Sequence, residues 1–386
     1  MTLDKIDILS TIGTYYNQYG IRARELSKEG KKIIGYLCGL TPVEIIHAAG
    51  LVPLRIKGNV HEPITKADTQ METIVCPLVR SCYDISLKGY YDFLSGLVIP
   101  HACDSISRTY DIWRFTLGLP YSHMVNMPHS TDDSSLEFFK NILDTFRLSI
   151  GKFAGKEISD SDLRNSIKVY NNYREKLKKI SDLRKQTQPP ITGTEMNRLL
   201  VATMGIPVEE ANTLLDETLK ELKKRQAPSP KKARLMIIGS QVDDDAFINL
   251  VEESGATVVI DDLCPGTREY YTTVSEKGAP VEGLAEHYLR EIKCGRTYRQ
   301  QKGDYESYLE DRFGHDGRFI KEYGVDGVIV YIYKYCDSFG FEVPALKSYI
   351  QSKGVPVLYL EDEYSMASMA RLKTRIQAFL EMLDVD

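Results

Sequence analysis

The sequence predicts an α/β protein of two parallel-sheet domains with a helical segment between them. Three observations predict it. Short apolar runs alternate with helical stretches in the first third of the 386 residues. From about residue 134 to 226 the pattern is almost wholly helical. After a linker, the alternation of strand and helix resumes. Such alternation indicates parallel pairing, because a crossover helix is what returns the chain to lay its next strand in the same direction. The length also exceeds what one core organises.

The elements follow in order. Ile6 to Lys28 carries apolar side chains at helical spacing and is expected as one helix, the bulk of an N-terminal segment 1–30. The first α/β domain is expected over 31–226. It opens with Lys32–Leu37, a short apolar run after Gly30. Thr41-Pro42-Val43-Glu44 reads as a capped helix start, with Pro at the first turn and Glu behind it. That helix, Val43–Ala49, stops at Gly50. Leu51–Ile56, Gly96–Pro100 and Met124–Met127 follow as strands, the type of sheet being flavodoxin-like or Rossmann-like. Leu136–Phe153, Ser161–Ile180 and Val208–Lys224 are amphipathic helices. Gln226-Ala227-Pro228-Ser229-Pro230 is a linker by composition. In the second α/β domain, 231–386, strands are expected at Arg234–Gly239, Thr257–Asp261, Gly327–Tyr333 and Val355–Leu360, and the helix Ala367–Leu383 closes it.

Composition narrows the function. Apolar residues make up 42% and charged residues 27%, ordinary for a globular chain. A net charge of −5 argues against nucleic acid as a partner. The run Lys231-Lys232-Ala233-Arg234 is a solvated strand entry. The N-terminal residues lack an apolar signal core, and the longest apolar runs, Gly96–Pro100 and Val328–Ile332, are far too short for a bilayer. The expectation is a cytoplasmic protein with no membrane partner.

Seven cysteines, odd in number and widely spaced, do not suggest a disulfide framework. Any one of them is more often a buried free thiol. Position is what singles out three. Cys103 follows the strand Gly96–Pro100, and Cys336 follows Gly327–Tyr333 in the same way. Ligands of open α/β sheets bind outside the carboxyl ends of strands. Each is followed by Asp, in Cys103-Asp104-Ser105 and Cys336-Asp337-Ser338. Cys76 precedes Pro77 and the helical run Leu78–Leu87, whose dipole favours a thiolate. Thiolates are the ligands of iron–sulfur clusters. No Cys-x-x-Cys pair occurs, so neither ferredoxin nor zinc-ribbon spacing is present. Three thiolates leave one iron of a four-iron cluster open to an outside ligand.

A resemblance sharpens this. Gly35-Tyr36-Leu37-Cys38-Gly39-Leu40-Thr41-Pro42-Val43-Glu44, running on to Ala48-Ala49-Gly50-Leu51-Val52-Pro53, resembles the opening segment of the 2-hydroxyacyl-CoA dehydratase and benzoyl-CoA reductase family. Cys76-Pro77-Leu78-Val79-Arg80-Ser81-Cys82 resembles its first cluster segment. The stretch from Tyr91 to Asp104 resembles the second, and Tyr335-Cys336-Asp337-Ser338-Phe339-Gly340 the third. Asp261-Asp262-Leu263-Cys264, Gly266-Thr267-Arg268 and Leu372-Lys373-Thr374-Arg375 also fit, so the similarity spans nearly the whole chain.

The resemblance implies a heterodimer with a related second subunit, each subunit holding a [4Fe-4S] cluster on three cysteines. Here those are Cys76, Cys103 and Cys336. It implies an acyl-CoA substrate and ketyl radical chemistry. It also implies a separate ATP-hydrolysing iron–sulfur activator that injects low-potential electrons. The absence of a Walker A sequence fits ATP being hydrolysed elsewhere. Some relatives are homodimers that reduce small molecules on a double-cubane [8Fe-9S] cluster. That version would recruit Cys38 and Cys294, with Cys82 or Cys264. Cys294 here stands in Lys293-Cys294-Gly295-Arg296 without a cysteine-rich run, and Gly239-Ser240 replaces a cysteine-bearing turn. A third version is a non-catalytic subunit that relays electrons.

No motif assigns a catalytic residue. His101, two before Cys103, is a candidate to hydrogen-bond a cluster sulfur or donate a proton. Glu361, in Glu361-Asp362-Glu363 after the last strand, is a candidate to line the cleft. His47 reads as a packed or interface histidine. Arg80 and Arg108 are either phosphate binders for CoA or structural. Asp243-Asp244-Asp245 reads as a helix N-terminal acid cluster. The identity of the acyl group is not marked.

Overall fold

A computed structural model describes residues 8–229 and 231–383. Strands β1 (Ile33–Tyr36), β2 (Val52–Arg55), β3 (Gly96–Pro100) and β4 (Tyr121–Val125) form one sheet in the order β2-β1-β3-β4. Strands β5 (Ala233–Gln241), β6 (Ala256–Cys264), β7 (Gly327–Tyr333) and β8 (Val357–Asp362) form a second in the order β6-β5-β7-β8. Every pairing is parallel. The protein is therefore α/β with two parallel sheets of the same winding. In each, the chain leaves the first strand to one side and returns to the other. The switch points lie between β1 and β3 and between β5 and β7, where crevices form at the carboxyl ends.

The central strands explain themselves. All residues of β1, β3 and β7 are buried, as expected for strands covered on both faces. Gly239 is needed where β5 meets β7, since a Cβ there would run into the Tyr331 carbonyl oxygen. One hydrophobic cluster runs through both sheets, from Leu97 and Ile99 to Leu235, Ile329 and Leu360. A second packs Ile34, Ile45 and Phe146 against Leu284, Tyr288 and Ile292, which come from beyond the linker.

Several expectations shift. The N-terminal helix is two, Ile8–Asn17 and Ile21–Lys28, because Gly20 takes a φ of +79° between them; Ile6 and Asp7 lie outside the described residues. Strand β4 starts three residues before Met124, as its polar stretch Tyr121-Ser122-His123 pairs at the sheet edge. A helix at Gly193–Thr203, capped by a Thr192 and Glu195 box, joins the three expected helices. Glu44 does not serve a cap. It is fully buried, and it accepts from Arg174 at 2.5 Å and from Tyr288 Oη at 2.7 Å. Among the described residues, no helix is long and apolar enough to cross a membrane.

Candidate functional site

Cys76, Cys103 and Cys336 occupy equivalent places. Each is the residue capping a helix, at Pro77–Leu87, Asp104–Thr116 and Asp337–Gly340 respectively. None of the three sulfurs accepts a capping hydrogen bond, but main-chain N–H groups of the first turn lie near enough to lower each thiol's pKa: Leu78 and Val79 for Cys76, Ile106 for Cys103, Phe339 for Cys336. Those donors favour the thiolate. Burial opposes them and is stronger. It pushes the Cys76 thiol up, Cys103 well above its ordinary value, and Cys336 to about 12.

The three also act on one another. Cys76 and Cys336 raise Cys103, Cys76 raises Cys336, and Asp337 presses on all of them. Thiols from three separate loops thus share one electrostatic environment. The Cys76 N–H donates to Ser105 Oγ at 3.3 Å, tying the first loop to the helix after the second. This donor set fits an iron–sulfur cluster. Its irons would bring the positive charge that burial withholds from three thiolates.

A second group of thiols lies beside the first. Cys38 follows β1, Cys264 ends β6, and Cys294 comes after the helical turn His287–Glu291. Burial raises Cys38 to about 11 and Cys264 further. Cys294 adds to both, Cys38 adds to Cys264, and Cys294 also acts on Cys336. Strained backbone marks both groups. Among the described residues, three non-glycines take a positive φ, and Cys38 (70°) and Tyr335 (62°), just before Cys336, are two of them. Cys82 is a fully buried core thiol on the helix Pro77–Leu87; burial raises it well above its ordinary value, and Asp243 and Cys76 add to that.

Two buried guanidiniums attend these thiols. Arg268 donates to Asp262 Oδ2 at 2.7 Å and to the Gly239 carbonyl at 2.6 Å, and its Nη1 lies 3.9 Å from Cys264 Sγ. Arg296 is 7% exposed and forms no ion pair with a carboxylate among the described residues. It donates instead to the carbonyls of Ala102, Pro128, His101 and Met127. A buried guanidinium ordinarily needs an anion. The groups that favour its charge are Cys294, Cys38 and Cys103, while burial pulls its pKa down. No sequence signal pointed to Arg296; its partners are about 170 to 195 residues away along the chain.

The remaining candidates fall elsewhere. His101 is half-buried, its Nδ1 3.1 Å from Asn126 Oδ1 and its ring edge-on to His129. Glu361 lies exposed on β8, with its carbonyl accepting from Arg371 at 3.5 Å. His47 bridges Ser166 and Glu209 at 2.8 Å each, an interface role between helices. Arg80 is held by Asp68 and the Thr73 carbonyl, and exposed Arg108 pairs with Asp104, so Arg80 is structural. Only Asp244 of the acid tract caps the following helix, at Ala246 N. Asp243 accepts from Gly58 N and Tyr364 Oη and joins the two sheets' loops. Beside Gly39 and Arg268 lies a 40 Å³ cavity walled by Tyr36, Tyr170, Tyr173 and Tyr288. It has room for waters.

The fold and the site define an α/β protein with cysteines at the carboxyl ends of its parallel strands and at the starts of the helices that follow. The chain belongs to the family described as 2-hydroxyglutaryl-CoA dehydratase, D-component, whose model matches residues 38–383. It is similar to the beta subunit of (R)-phenyllactyl-CoA dehydratase from Clostridium sporogenes, 26% identical over 361 residues, covering 93% of this chain and 94% of the relative. A subunit of benzoyl-CoA reductase from Thauera aromatica is 26% identical over 385 residues, 98% of each chain. The beta subunit of (R)-2-hydroxyglutaryl-CoA dehydratase from Acidaminococcus fermentans is 21% identical over 358 residues, 92% of this chain and 93% of the relative. The family is one of enzymes, and these relatives are named as subunits of them.

Proposed function

We propose that the chain is the iron–sulfur subunit of an enzyme acting on acyl-CoA thioesters, either removing water from a 2-hydroxyacyl-CoA or reducing an aromatic thioester. The observation that carries this reading is the placement of Cys76, Cys103 and Cys336 at the starts of three helices, the first tied to the second through Cys76 N and Ser105 Oγ, in a member of this family. In this reading the three hold a [4Fe-4S] cluster, which when bound stores and passes single low-potential electrons. The chain's own groups do the rest. Leu78, Val79, Ile106 and Phe339 N–H groups stabilise the thiolates. Arg296 fixes the turn before Cys103 and balances negative charge. The enzyme is completed by a second, related polypeptide, in keeping with relatives named as beta subunits. A separate ATP-hydrolysing activator supplies electrons, in keeping with the lack of a Walker A sequence.

The grouping of Cys38, Cys264 and Cys294 favours a second reading. Six thiols would hold a double-cubane [8Fe-9S] cluster in a homodimer that reduces small molecules. Anaerobic purification with iron and sulfide counts separates the two. About four irons per chain, unchanged in Cys38→Ala and Cys294→Ala, supports the first. About eight, falling in both variants, supports the second. An iron-free chain after anaerobic expression and reconstitution overturns both.

A further inference from the structure

Asp262, His315 and Asp316 form a cluster outside both thiol groups. Asp262 lies near the carboxyl end of β6, and His315 and Asp316 are neighbours on the helix Tyr305–Tyr323. One ligand atom from each lies within 4.8 Å of the others. His315 Nε2 is 3.4 Å from Asp262 Oδ2 and 3.5 Å from Asp316 Oδ1. A tetrahedral ion with bonds of about 2.1 Å holds its ligand atoms about 3.4 Å apart. One imidazole and two carboxylates suit a borderline first-row divalent ion.

A separate observation points to a missing cation. Asp316 is 1% exposed, and its Oδ1, facing His315 Nε2, accepts no hydrogen bond. His315 Nδ1 is likewise buried and unpartnered. Leaving a buried polar atom unsatisfied costs about 1–3 kcal/mol, and native structures seldom do so. An ion bound to Oδ1 would remove the cost at the carboxylate. The cluster is also reachable, because Asp262 and His315 line a 740 Å³ depression with Arg290, Lys293 and Arg318.

We propose that Asp262, His315 and Asp316 form a binding site for a divalent ion such as Zn²⁺ or Mn²⁺, distinct from the cysteine groups, with its open position toward that depression. The ion acts as a positioning element. Asp262 is also the partner of Arg268, whose Nη1 reaches Cys264 Sγ, so a metal on Asp262 fixes the guanidinium beside that thiol. The metal-free alternative is a quartet of Arg268, protonated His315 and two carboxylates, whose charges cancel. Separations of 3.4 and 3.5 Å make poor hydrogen bonds for such a quartet and leave Asp316 Oδ1 without one.

The test uses the full chain, purified anaerobically and oxidised. Mn²⁺ is titrated while the spin-resonance signal of the free ion is followed, and Zn²⁺ is added during thermal melting. One Mn²⁺ per chain should bind, and Zn²⁺ should raise the melting temperature. Asp316→Asn, nearly isosteric, and His315→Ala should each weaken Mn²⁺ binding by about 100-fold, the scale of losing a group that sets a metal site. Iron content should not change in Asp316→Asn. If neither ion binds the parent chain, or if Asp316→Asn binds both as tightly, the proposal is overturned. Greater stability of Asp316→Asn with no metal response in either protein would also overturn it and assign the quartet.

Discussion

Arg296 Nε donates to the Ala102 carbonyl over 3.1 Å, so the second half of the chain grips the turn that delivers Cys103. The same guanidinium reaches Pro128, His101 and Met127, closing the ends of β3 and β4 with one side chain. Removing it leaves several buried carbonyls without donors. Arg296→Met should therefore lose about 3 kcal/mol in urea unfolding. Arg296→Lys should recover less than half of that, because an ammonium lacks the planar fork that spans these carbonyls. A loss under about 1 kcal/mol for the methionine variant would contradict the role given to these bonds.

Glu44 and Arg174 are a buried pair, so removing the acid strands a guanidinium. Glu44→Ala should cost about 3–5 kcal/mol. The pair also has a pH signature. Burial pushes the Glu44 carboxyl up, but Arg174, His287 and Tyr288 outweigh it and hold it below its ordinary value. The unfolded chain, whose Glu titrates near about 4.3, then takes up the proton first as pH falls. Stability from the pair is complete above about pH 5 and declines below it. The gap between parent and Glu44→Gln should shrink as denaturation is repeated from about pH 5 to pH 3. A gap that widens toward acid would reverse the sign.

Sequence and structure agree where burial makes a signal one-dimensional. The strands Gly96–Pro100 and Gly327–Tyr333 are found at their expected bounds, because unbroken apolar runs flanked by turns are how buried parallel strands read. The helix Gly193–Thr203 left no such trace. Nine of its eleven residues are buried, so it carries no polar face to give a period. Glu44 read as a helix-start acid because its partners, Arg174 and Tyr288, are 130 and 244 residues away. The placement of Cys76, Cys103 and Cys336 was legible from strand ends and helix starts. The mutual influence of Cys38, Cys264 and Cys294 depends on how the two sheets pack, which no local pattern records.

Gly239 tests the join between β5 and β7. A Cβ added there meets the Tyr331 carbonyl oxygen, and backbone cannot swing aside as a side chain can. Gly239→Ala should cost more than about 3 kcal/mol or abolish soluble expression. A near-neutral variant by calorimetry would show that β5 is free to move off β7.

The thiols make a selective prediction. Cys82→Ala removes a small buried side chain from the core and should cost roughly 1–3 kcal/mol while leaving bound iron at the parent level. Equal loss of iron in Cys82→Ala and Cys103→Ala, both folded by circular dichroism, would mean that Cys82 is not the core thiol its surroundings indicate.

The central claim is that Cys76, Cys103 and Cys336 together hold an iron–sulfur cluster. Iron and acid-labile sulfide per chain, measured after anaerobic purification of the parent and of the three single alanine variants, test it most directly. At least about four irons in the parent, with strong depletion in each variant and no loss of fold, is the predicted result. Full iron in all three variants would contradict it.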